Sequence, residues 1–448
     1  MEPQIESHIE SSHIESSHIE SSHIDSDFYD TESENNEEET SIHYRVSKNM
    51  TIDNGRFEII RKLGSGRFSR VWEAIDLNNN NRKVALKIYK SSKDNYEYYE
   101  NEIKIFELLN NESCDFIIKK YEHFNITTNY GVHGCVSLEL CGPHLFKLLD
   151  KSDDSKLPEP IVKSIIKQVI NGLKYIHSKG IIHTDIKPEN IFLVKPLELI
   201  SDFNDIKIKL GDLGSSTPID DLYSLSIGTT PYIAPEIVMR SKYDTSADIW
   251  ALGGLIFELM TGDCLFDPEA YFGDSDDDES DDESGDGNDD ESGDGNDDES
   301  GDGDESEDDS GDESDDGNYE DWELIHLHIS LFHKVLGPLP KDLVSKGEYF
   351  EDFFTKDGKL RRIPNYLEKK GIKDILVDDH EFAENNAVRL ASILNKIFVY
   401  IPENRMKCND ILDMEWLQGD FKKEYHKLLN KYQNENKNKN KNKNRNRN

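Results

Sequence analysis

The sequence predicts an α+β chain of two lobes, β-rich at the N-terminal end and mainly helical at the C-terminal end. Three observations carry that expectation. Runs of strand length and strand pattern occupy Phe57 to Leu140. From Ile161 onward apolar residues recur at helical spacing. The charge, finally, is concentrated outside these regions. Of a formal net charge of -40, residues 1–40 hold thirteen carboxylates and 274–318 hold twenty-six, neither stretch with a single Lys or Arg. Once these are set aside, a near-neutral remainder of about 350 residues is ample for two lobes with real cores.

Composition also excludes classes. Five cysteines, Cys114, Cys135, Cys141, Cys264 and Cys408, are odd in number and form no CxxC pair, which argues against a disulfide framework or a zinc site and for a reducing compartment. No apolar run reaches the ~18 residues of a membrane span, and the N-terminus is acidic where a secretory leader would be basic and then apolar. The acidic stretches cannot bury enough apolar surface to fold, so a disordered tail is expected over 1–50 and a disordered insert over 274–318. His8, His13, His18 and His23 recur with a period of five in the first, which matches neither helix nor strand. The last residues, 431–448, alternate Asn with Lys or Arg and read as a basic low-complexity tail.

Order is expected from about Arg56. A strand from Phe57 runs through Leu63 into Gly64-Ser65-Gly66-Arg67-Phe68-Ser69-Arg70-Val71, then a second strand extends to Ile75. The two glycines let backbone N–H groups approach phosphates without an intervening Cβ, although Ser69 stands where GxGxxG has its third glycine. Lys87 lies inside the apolar strand Val84 to Tyr89, and a cation there requires an anionic partner. The following helix, with Ile103, Phe106, Leu108 and Leu109 as its apolar side, offers Glu102, or Glu100 as the alternative. Val136, Leu138 and Leu140 alternate as a strand that Cys141-Gly142-Pro143 breaks, as a hinge between lobes would.

Ile161 to His177 is an amphipathic helix that delivers the chain to His183-Thr184-Asp185-Ile186-Lys187-Pro188-Glu189-Asn190. An Asp with Lys two and Asn five residues later is what phosphoryl transfer from a magnesium nucleotide needs. The carboxylate accepts the proton of an attacking hydroxyl, the ammonium neutralises the moving phosphoryl, and the amide oxygen holds a metal. Ile206 to Leu210 is a strand ending in Gly211-Asp212-Leu213-Gly214, where Asp212 is placed to bind Mg²⁺. Asp248 opens Ile249 to Met260, a helix apolar all round and hence buried. A carboxylate entering such a helix needs backbone N–H partners. Arg405 is the candidate partner of Glu236.

In this order the parts resemble the signature set of eukaryotic protein kinases from about Phe57 to Leu417. Within that family the chain is most similar to the serine/arginine-protein kinases, through the octet, Asp212-Leu213-Gly214, Ala247-Asp248-Ile249-Trp250, Glu258-Leu259-Met260-Thr261-Gly262-Asp263 and Phe353-Phe354-Thr355-Lys356. The resemblance implies a two-lobed serine/threonine kinase domain over 57–417. It places ATP between the lobes, with adenine near Ala85, Glu139 and Cys141 and phosphates under Leu63, Gly64, Ser65, Gly66, Arg67, Phe68, Ser69, Arg70 and Val71. Lys87, fixed by Glu102, holds phosphates, Asn190 and Asp212 bind Mg²⁺, and Asp185 and Lys187 are catalytic.

Thr184 replaces the Arg of most kinases, so activity is expected without a phosphate on the activation segment. Thr230 and Ile233 stand where the serine/arginine family has arginines, and Lys359, Arg361 and Arg362 fall near its acidic docking groove. The expected partners are protein substrates, basic or Arg/Ser-rich, met by a monomeric intracellular enzyme, cytoplasmic or nuclear. No membrane contact is expected, and nucleic acid only weakly through the basic tail. The rival is a pseudokinase scaffold whose acidic insert binds basic proteins.

Overall fold

The computed structural model describes residues 43–109, 114–200, 202–220, 227–271, 318–364, 366–431 and 433. The histidine array, nearly all of the acidic insert and most of the basic tail lie outside them.

The N-terminal lobe is one antiparallel sheet of six strands: β1 (Thr51–Ile52), β2 (Phe57–Ser65), β3 (Ser69–Asp76), β4 (Arg82–Tyr89), β5 (Lys120–Thr128) and β6 (Gly131–Glu139). Their spatial order is β1-β2-β3-β4-β6-β5. Strand alternation puts Phe57, Ile59, Ala74, Val84, Leu86 and Cys135 into one core beneath the sheet. The other face packs on the helix α1 (Lys93–Leu108), which Ser92 caps through a bond from the Asn95 N–H. Along α1 the buried residues are Tyr98, Tyr99, Glu102, Ile103, Ile105 and Phe106, whereas Leu108 is exposed. The expected apolar face is therefore rotated at its C-terminal end, because Ile105 fills the core position.

Order also begins earlier than the sequence suggested. Residues 43–50 are packed rather than disordered: Tyr44 meets His133 edge to face, and Tyr44 and Val46 cover apolar side chains of the sheet that would otherwise face water. The Asn49 N–H donates to the Ile59 carbonyl, and the Ile59 N–H to Met50. At the other end residues 421–431 are helical, with Phe421 and Tyr425 buried, so the folded region passes Leu417 and takes in the first residue of the expected tail.

The C-terminal lobe is built on α2 (Leu145–Asp150), α3 (Glu159–Ser178), α4 (Pro235–Val238), α5 (Ser246–Thr261) and α6 (Asn318–Leu336). Every residue of α5 is buried, as its all-round apolar character demands. Trp250 on α5 lies among Phe266, Phe332 and Phe398, with ring centroids 5.0–5.7 Å away. Shorter helices and Glu384–Ile397 follow, and two short ribbons also belong to the lobe: β7 (Ile181–Ile182) pairs with β10 (Thr217–Pro218), and β8 (Ile191–Leu193) with β9 (Ile208–Leu210). Because β7 and β8 flank the octet, its two ends are fixed by pairing.

Glu236 and Arg405 meet as expected in a bidentate pair of 2.8 and 3.0 Å with both side chains fully buried. No helix among the described residues is long and apolar enough to cross a membrane.

Candidate active site

Strand β4 carries Lys87 into the cleft between the lobes. Its ammonium lies 3.0 Å from Glu102 of α1 and 2.8 Å from Asp212. Tyr89, two residues on and so on the same face of β4, donates its hydroxyl to the other Glu102 oxygen at 2.7 Å. Burial alone would lower the Lys87 pKa, but the two carboxylates outweigh it and raise the pKa well above that of an ordinary lysine. Lys87 in turn holds the Asp212 carboxyl below its usual range. Glu100, the alternative partner, is exposed.

Asp248 organises the octet. Its Oδ1 accepts from the Thr184 N–H and its Oδ2 from the His183 N–H, each at 2.8 Å. Those bonds support a strained backbone, since Thr184 is β-branched and sits at φ 70°. The Thr184 hydroxyl donates to the Ser215 carbonyl at 2.8 Å, which ties the octet to the segment after Asp212 with no charge involved. His183 donates through Nε2 to the Gly211 carbonyl at 3.1 Å and accepts the Asp185 N–H at Nδ1, which fixes its tautomer.

Asp185 is the centre of the polar cluster. Asn190 donates its amide to Asp185 Oδ2 at 2.7 Å and to the Asp185 carbonyl at 2.8 Å, and Lys187 lies 3.2 Å from Oδ2. Thr229 donates its hydroxyl to Asp185 Oδ1 at 2.8 Å while accepting from Lys187 at 2.6 Å. Thr229 is the residue that sequence reasoning missed. A threonine beside Gly228 has no anomalous character, and its only signal was a place in the run Gly228 to Glu236. Asn101 of α1 is a second omission, donating to the Gly214 and Ser216 carbonyls at 2.8 Å each.

The remaining sequence candidates line the cleft unequally. Leu63, Gly64 and Ser65 end β2, and Ser69, Arg70 and Val71 start β3, so the glycines do sit in a hairpin. A Cβ on Gly64 would meet nothing within 4 Å, and one on Gly66 only the Ser69 carbonyl at 3.8 Å. Neither glycine is required by packing or by positive φ, so the missing side chains leave clear backbone over the hairpin, as a phosphate cradle requires. Phe68 stacks instead on Tyr98 of α1, centroids 3.8 Å apart, with Arg67 over its ring. Ala85 of β4 pairs with Leu138. Glu139 turns its carboxylate to Lys209 of β9 at 2.9 Å, and its N–H donates to the Lys119 carbonyl at 2.8 Å. At Cys141, burial pushes the thiol up to about 12, so it is a neutral wall of the cleft.

The crossing at Cys141-Gly142-Pro143 is firmly paired. The Gly142 N–H donates to the Leu193 carbonyl at 2.7 Å, and the Leu193 N–H to Pro143 at 2.9 Å. A Cβ on Gly142 would lie 2.3 Å from the Lys195 carbonyl. Close approach, rather than flexibility, requires this glycine.

The chemistry of these donors fits a magnesium nucleotide. The Gly211 N–H donates to the Asn190 carbonyl at 2.9 Å, so β8 and β9 bring Asn190 and Asp212 to the same end of their ribbon. Asp212 is half-exposed, and Asn190 spends its amide nitrogen on Asp185, leaving its side-chain oxygen for a hard cation.

Comparison with known proteins agrees with this geometry. The protein kinase domain family matches residues 57–284. The serine/threonine-protein kinase SRPK of Physarum polycephalum is 28% identical over 425 residues, covering 84% of this chain and 88% of the relative. SRSF protein kinase 3 of Homo sapiens is 24% identical over 84% of this chain and 88% of its own length. The dual specificity protein kinase CLK2 of Homo sapiens is 32% identical over 226 residues, 47% of this chain and 44% of that protein. The chain belongs to the protein kinase family, as a divergent serine/threonine kinase similar to the SRPK group.

Proposed function

We propose that the chain transfers the γ-phosphoryl group of ATP to Ser or Thr hydroxyls of basic protein substrates and does so without a phosphate on its own activation segment. The observation that carries the reading is the cluster on Asp185, whose carboxylate is held by Asn190, Thr229 and Lys187. Asp185 orients the substrate hydroxyl and takes its proton, and Lys187 supports the transferring group through its positive charge. Lys87, fixed by Glu102, holds nucleotide phosphates beneath Gly64 to Val71. Asn190 and Asp212 are the residues that would hold magnesium, which when bound neutralises charge on those phosphates.

Two further observations support the finer parts. Glu189 carries a buried Oε2 with no hydrogen-bond partner among the described residues. Near it Glu258, bonded to Tyr232 at 2.5 Å, is pushed up to about 7 by burial and by the charges of Glu189 and Asp263. Carboxylates next to the octet and short of cations suit a substrate that brings its own. The uncharged bond from Thr184 to Ser215 supports an active arrangement that needs no phosphate. The described residues stop at Tyr271, three positions before the acidic insert, which would concentrate basic substrates in a salt-dependent way.

Radiolabelled ATP with a generic basic protein tests the reading. Wild type is expected to incorporate phosphate before and after phosphatase treatment, and Asp185→Asn to lose about 10²- to 10⁴-fold in kcat while still binding ATP. Normal turnover in that variant, or an enzyme silenced by phosphatase, would overturn it.

A further inference from the structure

On the face of the N-terminal sheet turned away from α1, Tyr44 and Val46 pack against the cluster that includes Trp72, Leu86 and Ile88. Lys62, Arg70 and Lys90 share that face. Lys62 of β2 is opposite Trp72 of β3, and residues directly opposed on neighbouring strands point the same way. Arg70 lies two residues from Trp72 and is opposite Ile88, and Lys90 lies two residues beyond Ile88. A register shift between Ile59 and Arg61 turns Lys62 to this side and leaves Arg61 to bond Glu73 on the other. Cations therefore border the apolar cluster at the hairpin end of the sheet, where Arg70 is opposite Ser65.

The chain arrives at this place through His43. Like the three cations, His43 is half-buried, and burial followed by the charges of Arg70, Lys90, Lys62 and His133 pulls its imidazole down to about 4. Like charges gathered at a partly dry surface attract an anion. The same chain supplies one. Residues 1–40 hold thirteen carboxylates and no Lys or Arg, and Glu37-Glu38-Glu39 stands four to six positions before His43. Extended chain covers roughly 13 to 20 Å over that separation, so these carboxylates are tethered within reach of the cations. So short a tether gives an effective concentration of about millimolar, enough for ion pairs that are individually weak. The twenty-six carboxylates of 274–318 are attached to the other lobe and have no such advantage.

We infer that Lys62, Arg70 and Lys90 form a docking face for the chain's own acidic N-terminal tail, occupied by Glu37 to Glu39, which lie outside the described residues. The contact is independent of the phosphoryl-transfer cluster and of the substrate it takes.

Zero-length carbodiimide coupling of the full chain at low ionic strength, followed by peptide mass spectrometry, tests which carboxylates meet these lysines. Amide bonds from Glu37, Glu38 or Glu39 to Lys62 or Lys90 are expected, in a yield unchanged by about tenfold dilution and cut about fivefold or more by about 0.5 M salt. Coupling of these lysines to 274–318 instead, a yield that falls on dilution, a yield indifferent to salt, or no coupling overturns the docking face. Lys62→Gln with Lys90→Gln provides a second readout. A glutamate-specific protease is expected to cut after Glu37 to Glu39 about three- to tenfold faster in this variant than in wild type at low salt. At about 0.5 M salt, where the tail is released in both, the two rates should converge. Equal rates at low salt, or a difference that persists at high salt, overturns the docking face. None of these outcomes bears on phosphoryl transfer.

Discussion

His177 offers a test of how the octet is held, because its charge is part of the support. Its Nε2 donates to Asp248 Oδ2 at 2.8 Å, and its Nδ1 lies 3.5 Å from the Cys408 sulfur. Burial pulls the imidazole pKa down, but the bonds and charges of Asp248 and Cys408 prevail and raise it to about 9. An unfolded histidine titrates near about 6.5, and at 1.36 kcal/mol per pH unit the difference amounts to about 3 kcal/mol. The folded pKa is the higher one, so this stabilisation is complete below about pH 6.5, declines above it, and is gone once the pH passes about 9. His177→Gln retains an amide donor for Asp248 but cannot become charged. Urea unfolding of the full chain, followed by tryptophan fluorescence, should show a gap between wild type and His177→Gln that is widest near about pH 6. By about pH 10 that gap should have closed by about 3 kcal/mol. Taking the difference between the two proteins cancels groups that titrate alike in both. A constant gap, or one that widens with pH, would refute the reasoning.

Arg405→Met strands the Glu236 carboxylate in the core and should cost about 3–5 kcal/mol, read as a fall in Tm, while adding Glu236→Leu should recover most of it. Gly142→Ala forces backbone apart at the Lys195 carbonyl and should cost about 1–3 kcal/mol in denaturant stability and raise the KM for ATP. Thr229→Ala removes the hydroxyl between Lys187 and Asp185 and should lower kcat about 10-fold or more, with Thr229→Ser close to wild type in the same assay.

Much of this site was legible because its chemistry conflicts with its surroundings. A lysine inside an apolar strand, an aspartate entering an apolar helix and a glutamate awaiting a distant arginine each announce a partner, and Lys87, Asp248 and Glu236 all have one. Thr229, Asn101 and Tyr89 announce nothing, since hydroxyls and amides are at home in any loop, helix or strand. Their contacts span up to 115 positions, and those of Asn101 exist only once the lobes are docked. The glycine at 142 was read as part of a strand break, whereas its role is the space it leaves for the Lys195 carbonyl. The early start of the fold was missed because Tyr44 and Val46 are isolated apolar residues in a polar stretch, too few to set a period.

The contacts of Asn101 bear on which inhibitors this kinase will accept. Two amide bonds to the Gly214 and Ser216 carbonyls, together with the Lys87 bridge between Glu102 and Asp212, fasten α1 to the segment following Asp212. Swinging Asp212 outward breaks these links together, at roughly 1 kcal/mol for each neutral bond and more for the charged ones. Compounds that fit the cleft as it stands bind with their full intrinsic affinity. Those that require the outward form see only its small equilibrium fraction and weaken in proportion. Asn101→Ala should narrow the difference between the two ligand classes, an amide on α1 thereby setting drug selectivity.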